Sequence, residues 1–232
     1  AEQGYDTQLV ILDHLKCDPR EEAKQVDRLL QRRVDGFIIW PASWNRDFNH
    51  LKKIKANHLP LVLLASDIPE LKANFVGVDN SAGAFQAVNY LIQNGHQRLV
   101  FLFPERERER STIQGRIAGC RRAVLSHHLP WEKKNVYEFK GIGTVWLILG
   151  RSPRPTGIFA FSDNIAAFTL LCLKKYNLHV PADFSLIGFD DLEFYDLKLG
   201  ELLEPPLTTV SQPWKEIGRQ AAAAVLECIP GK

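Results

Sequence analysis

The sequence predicts an α/β protein of two lobes, each a parallel sheet with helices packed on its faces. Three observations predict it. Short, continuous apolar runs of strand length alternate with stretches of helical periodicity along the whole chain, the pattern of parallel strands buried on both faces. About nine such runs are present, more than one sheet of ordinary size carries. The length, 232 residues, suits two lobes of about 100 residues each.

Taken in order, residues 7–13 are a short apolar run between polar flanks. Asp18, Pro19 and Glu21 then supply a cap, a proline suited to the first helical position and an acid. Ala23, Val26, Leu30 and Val34 follow at helical spacing, and Asp35-Gly36 turns the chain into a strand over 37–40. Phe48, Leu51 and Ile54 mark a second helix, and 61–65 is a buried strand after Pro60. A strand over 75–78 meets the capping cluster Asp79-Asn80-Ser81, which opens a helix carrying Phe85, Val88 and Leu91 or Ile92 and ending at Gly95. The next strand spans 99–103. After the charged run ERERER at 105–110, Ile117, Cys120 and Val124 share one face of a helix over 113–126. Strands over 136–139, 157–161, 185–189 and 207–210 alternate with helical stretches near 145–149 and 165–176. The last helix, entered at Pro213, turns Trp214, Ile217, Ala221 and Val225 inward. In such an architecture a ligand sits in the crevice beyond the carboxyl ends of the strands.

Composition narrows the function classes. With 45% apolar and 24% charged residues the chain is ordinary for a globular protein, which excludes disorder. A net charge of +2 is too mild for a dedicated nucleic-acid surface. No apolar run approaches the roughly 20 residues of a membrane span, and the first residues lack a secretory pattern, so a cytoplasmic location is expected. The four cysteines, Cys17, Cys120, Cys172 and Cys228, are too scattered for a metal or disulfide framework, and three of them read as buried apolar groups in helices. No Ser-His-Asp arrangement, glycine-rich phosphate loop or metal-spaced His/Cys set is evident. Neither an enzyme nor a metal or other cofactor is therefore expected. The absence of methionine beside so many leucines points to methionines missing from the sequence; an intact mass of 26.4 kDa would refute that.

Six segments, in order, resemble the regulatory core of the lactose/galactose-repressor family: RRVDGFIIWPA, VGVDNSAGAFQAVNYLIQNGHQRLVFL, GRIAGCRRAV, RPTGIFAFSDNIAAF, VPADFSLIGFDDL and PPLTTVSQPWKEIGRQAA. The resemblance runs from about residue 4 to 228. It implies two similar Rossmann-like lobes of the type I periplasmic sugar-binding kind, with an effector held between them. On it, residues 1–103 and 213–232 form the DNA-proximal lobe and 104–212 the distal lobe. The family's helix-turn-helix headpiece and the central strand of its first sheet are not in the sequence, whose start is read as truncated.

The resemblance also proposes effector contacts. Arg116 matches the family's R-x-x-G arginine, and a guanidinium offers a planar fork of donors to two ligand oxygens. Asp190, the first acid of GFDD, ends an apolar strand where crevice ligands bind, while Asp191 suits a cap for a helix after Leu192. Ser162 and Asp163 end the strand before them in the same way, with capping of the next helix as the competing role. Phe161 could wall the pocket, as could Trp40 at a first-lobe strand end; Trp44 and Trp146 are weaker candidates. Asp79 is either a cap or a pocket residue. His96 fits a cationic role at a helix end. Arg116→Ala and Asp190→Ala are expected to abolish effector response and leave folding intact. The implied protein is an allosteric regulator whose partners are a sugar, sugar phosphate or purine, operator DNA and a second copy of itself. A transporter's sugar-binding protein and an α/β enzyme acting on a sugar or nucleotide are the competitors.

Overall fold

The computed structural model describes residues 4–12, 19–42, 47–104, 110–194 and 197–229. The chain divides into two units, residues 1–77 with 214–232, and residues 78–213.

The first unit holds helix α1 (Pro19–Gln31), strand β1 (Phe37–Ile39), helix α2 (Asn49–Ala56), and strands β2 (Leu61–Leu64) and β3 (Asn74–Val76). The strands form a parallel sheet in the order β1-β2-β3. Successive residues of a strand point to opposite faces, and β2 shows the result. Leu61 and Leu63 pack with Val26, Leu51 and Ile54 from α1 and α2. Val62 packs with Ala221 and Val225.

The second unit contains helix α3 (Asn80–Gln93), strand β4 (Leu99–Pro104), helix α4 (Ser111–Ser126), strand β5 (Val136–Phe139), helix α5 (Ile142–Leu149) and strand β6 (Gly157–Ala160). Helix α6 (Asp163–Lys175), strand β7 (Ser185–Asp190), the short strands β8 (Glu193–Phe194) and β9 (Leu197–Lys198), and strand β10 (Thr208–Ser211) follow. The last helix of the chain, α7 (Trp214–Glu227), returns to the first unit. Five parallel strands pair in the order β10-β7-β6-β4-β5. In β4, Leu99, Phe101 and Phe103 face the core built with α3 and α4, while Val100 and Leu102 face that built with α5 and α6. Both faces are covered, which is why β4 reads as an unbroken apolar run. The fold is the expected α/β class with parallel sheets.

The contacts divide the chain after residue 77, where the resemblance places a lobe boundary after 103; α3 packs along α4 and β4 sits inside the five-stranded sheet. Two expectations change. After Leu192 the chain makes the antiparallel ribbon β8–β9, not a helix for Asp191 to cap. Cys120 and Cys172 are buried as expected, but Cys228 is exposed. Cys17, Trp44, the Asp18 cap and residues 105–109 of the charged run lie outside the described residues. No helix among the described residues is long and apolar enough to cross a membrane.

The α3–α4 approach depends on Gly119, where an added Cβ would collide with the Ser81 carbonyl oxygen and press on Ala84 at 3.0 Å. Backbone cannot yield as a flexible side-chain end can, so Gly119→Ala is expected to cost about 1–3 kcal/mol. Thermal unfolding should show a Tm lower by roughly 2–10 °C; an unchanged Tm would contradict the close approach.

Candidate functional site

The strand order reverses at β4, since β5 pairs with one edge of it and β6 with the other. In a parallel sheet such a reversal opens a crevice at the carboxyl ends of the strands. Arg116 on α4, Phe161 and Ser162 after β6, Asp190 ending β7 and Gln212 after β10 all belong to segments that follow those ends.

Arg116 is the hub. It is only 3% exposed and is held on every side. Its Nε donates to Asn80 Oδ1 at 2.8 Å, one Nη donates to the Phe161 carbonyl, and the other reaches Asp190 Oδ1 at 3.2 Å. Two rings sandwich the guanidinium, Phe161 at 4.2 Å and Phe189 at 3.6 Å from Cζ to ring centroid, a placement that uses the arginine's flat, weakly hydrated surface. Asp190 Oδ1 also accepts from Gln212 Nε2 at 2.6 Å.

Burial dominates the electrostatics. It pulls the Arg116 guanidinium down to about 10, against the pull of Asp190. Burial also pushes the Asp190 carboxyl up to about 6, opposed first by Arg116 and then by the Gln212 hydrogen bond. Both groups are charged at neutral pH, and Asp190 takes up a proton as the pH falls through about 6.

Arg116, Asp190 and Phe161 thus come together, while the other expected residues do other things. Ser162 caps α6 by accepting from the Ile165 amide. Asp163 is fully buried and accepts from Thr209 Oγ1 at 2.5 Å and the Leu192 amide at 3.1 Å. Asp79 caps α3, accepting from Ala82 N at 2.8 Å; its neighbour Asn80 is the residue that reaches Arg116. Trp40, in the first unit, stacks on Trp214 with ring centroids 5.7 Å apart. Sequence reasoning missed Asn80, Phe189, Gln212 and Trp214 as candidates. His96 is not the expected helix-end cation. Its ring nitrogens meet Thr156 Oγ1 at 3.0 Å and Ser185 Oγ at 2.7 Å, and burial lowers its pKa, so it ties the starts of β6 and β7 as a neutral ring. Among the described residues no group of three His, Cys, Asp or Glu could hold a metal ion.

A family profile, the periplasmic binding protein-like domain, matches residues 88–232. The HTH-type transcriptional repressor PurR of Vibrio parahaemolyticus is 32% identical over 238 residues, 99% of this chain and 67% of that protein. The chain belongs to the LacI/GalR family. The HTH-type transcriptional repressor CytR of Escherichia coli K12 is 29% identical, with the match covering 100% of this LacI/GalR chain and 66% of CytR. The chain therefore spans slightly under two thirds of that repressor's length. Among solved structures, a LacI family transcriptional regulator from Enterococcus faecium with bound ribose superposes with a TM-score of 0.75 at 26% identity, over 88% of this chain and 75% of that one. The sequence's family resemblance and its periplasmic-binding-protein-like fold are both met.

Proposed function

We propose that this LacI/GalR-family chain is the effector-sensing core of a cytoplasmic transcription repressor, and that it is not an enzyme. A small molecule bound against Arg116 and Asp190 favours one of two conformational states and so changes the affinity of the whole protein's helix-turn-helix headpieces for operator DNA. The observation that carries this reading is the buried Arg116–Asp190 pair flanked by Phe161 and Phe189. It offers a donor fork, a carboxylate acceptor and apolar walls in one place, and no bond-making group. Because Asp190 already offsets the Arg116 charge, the pair suits a neutral polyhydroxylated ligand, a sugar, better than an anion. Arg116, Asp190 and Phe161 are the proposed contacts. The repressor names of the relatives favour a regulator over a transporter's binding protein.

A thermal-shift series with D-ribose, cellobiose, ribose 5-phosphate and adenine tests it. A sugar at about 100 times its Kd adds roughly 2.7 kcal/mol, a Tm rise of roughly 5–10 °C, and Asp190→Asn should remove the rise. The reading fails if no compound shifts the Tm or if the shift survives in Asp190→Asn. A larger response to the phosphate would overturn the neutral class.

The third expected partner, another copy of the chain, is supported by the outer face of α5 and α6. These helices pack together and leave Ile142, Trp146, Leu147, Phe168 and Leu171 exposed, apolar side chains of the kind that a partner's surface covers. Sedimentation should find a dimer that Trp146→Glu with Leu171→Glu converts to a 26.4 kDa monomer. A wild-type monomer at high protein concentration would rule the dimer out.

A further inference from the structure

We propose that Asp163 is a positioning residue for the effector site: it clamps the turn after β7 and thereby aims the Asp190 carboxylate at Arg116 and Gln212. The inference rests on the reading of Asp190 as an effector contact and moves Asp163 from ligand contact to support.

The turn needs a clamp. Asp190 has φ 117° and Asp191 φ 52°, two successive non-glycine residues in a region that L side chains rarely adopt. Such a conformation is strained and persists only where the surroundings hold it. The Asp163 carboxylate supplies such a hold at the far end of the turn. One oxygen accepts from the Leu192 amide, the residue just past the strained pair. The other accepts from the Thr209 hydroxyl on β10. Thr209 lies directly opposite Gly188 in the β10–β7 ladder, and a Cβ on Gly188 would overlap the Asp163 oxygen. The bare backbone at Gly188 is what lets the carboxylate reach into the sheet. Asp163 thus joins the start of α6, the end of β7 and the middle of β10 from a position with no solvent exposure. A ligand could touch it only by opening that junction. If the clamp is lost, the turn can relax toward ordinary φ values, and Asp190, the residue at its start, leaves its place beside Arg116.

Thr209 is the place to test this, because changing it leaves both acids in the chain. In protein labelled with ¹³C at aspartate carboxyl carbons, Asp190 is assigned by the signal lost in Asp190→Asn and titrated from pH 4 to 8. The wild-type midpoint is expected at about 6. In Thr209→Val the freed carboxyl becomes hydrated and its midpoint falls toward about 4, the ordinary carboxylate value; Thr209→Ser keeps the hydroxyl and restores the wild-type midpoint. Thr209→Ala leaves room for water around Asp163 and is read in the same way if the valine variant does not fold. A midpoint that stays near 6 in the folded valine or alanine variant overturns the proposal. D-Ribose and cellobiose are then the calorimetric probes. Whichever binds wild type should bind Thr209→Val roughly tenfold more weakly, with serine restoring affinity; equal affinity overturns the proposal. If neither sugar binds wild type, the effector reading fails, and the titration still decides whether Asp163 positions Asp190.

Discussion

Arg116→Ala should destabilise the second unit by about 3–5 kcal/mol, the usual cost of removing one partner from a buried ion pair, and should abolish the sugar response together with it. The first effect departs from the sequence expectation that folding would survive the change. That expectation treats Arg116 as a ligand hook on a surface, whereas the side chain is 3% exposed and ties α4 to Asn80, the Phe161 carbonyl and Asp190. Alanine would leave those three acceptors short of a donor and leave the space between two phenyl rings empty, so unsatisfied polar groups and a cavity add to the lost pairing. The loss should also depend on pH. Without Arg116 the burial that already raises Asp190 to about 6 is less opposed, and its folded-state pKa rises further above the unfolded value near about 4. The native state then binds the proton more tightly than the unfolded state. Stability from that proton is present at low pH and is lost as pH rises through the folded value. Urea unfolding at pH 5 and pH 8 should therefore find the variant closer to wild type at pH 5. Equal losses at the two pH values, or a loss under about 1 kcal/mol, would mean that the pair is not the buried hub it resembles. Arg116→Lys keeps a charge without the planar fork and should fall between.

What the sequence made legible follows from range. Strands and helices are written locally: the alternation in β4, the capping cluster before α3 and the apolar face of α4 each set an element within a few residues of where it forms. The carboxyl-end rule then brings Asp190 and Phe161 to the same rim, and the R-x-x-G match adds Arg116. Partnership between distant segments is not written locally. Nothing in 78–103 marks α3 and β4 as belonging with the second unit, because that depends on packing against α4 and pairing with β6, both later in the chain. In Asp79-Asn80-Ser81 all three residue types can cap a helix, and only the phase of the first turn decides that Asp79 caps while Asn80 faces Arg116. Gln212 is one polar residue after a strand, with no periodic signal, until the β10–β7 register places Ser211 opposite Asp190. His96 follows a helix end, which locally suggests a cation, but its ring partners Thr156 and Ser185 come from two other segments. The one signal that could have separated Asp163 from a ligand role is Gly188, a glycine inside an apolar strand, which marks a close approach.

A second large loss is expected in the first unit, at a pair that no effector argument touches. Glu22 of α1 and His50 of α2 are each about 5% exposed in their side chains, with His50 Nε2 2.5 Å from Glu22 Oε1, and Glu22 Oε2 accepts from the Ala42 amide just past β1 at 2.5 Å. One carboxylate therefore joins both helices to the segment that carries Trp40. Glu22→Ala strands a buried imidazole and a backbone amide at once, and should cost about 3–5 kcal/mol by thermal or urea unfolding. Glu22→Gln keeps an acceptor and the side-chain volume but not the charge, so its loss should be nearer 1–2 kcal/mol. His50→Ala alone leaves the Ala42 bond in place, and the cycle of Glu22→Ala, His50→Ala and the double variant should return a coupling of about 1–3 kcal/mol; additive losses would show that the two side chains act independently. The optical readout separates tethering from bulk stability. When the Ala42 amide loses its acceptor, the Trp40–Trp214 stack should loosen in protein that is still folded, shifting tryptophan emission to the red well below the unfolding transition. His50→Ala, which spares that amide, should leave the emission where it is, so a red shift of equal size in both variants would refute the tether and leave only the packing cost.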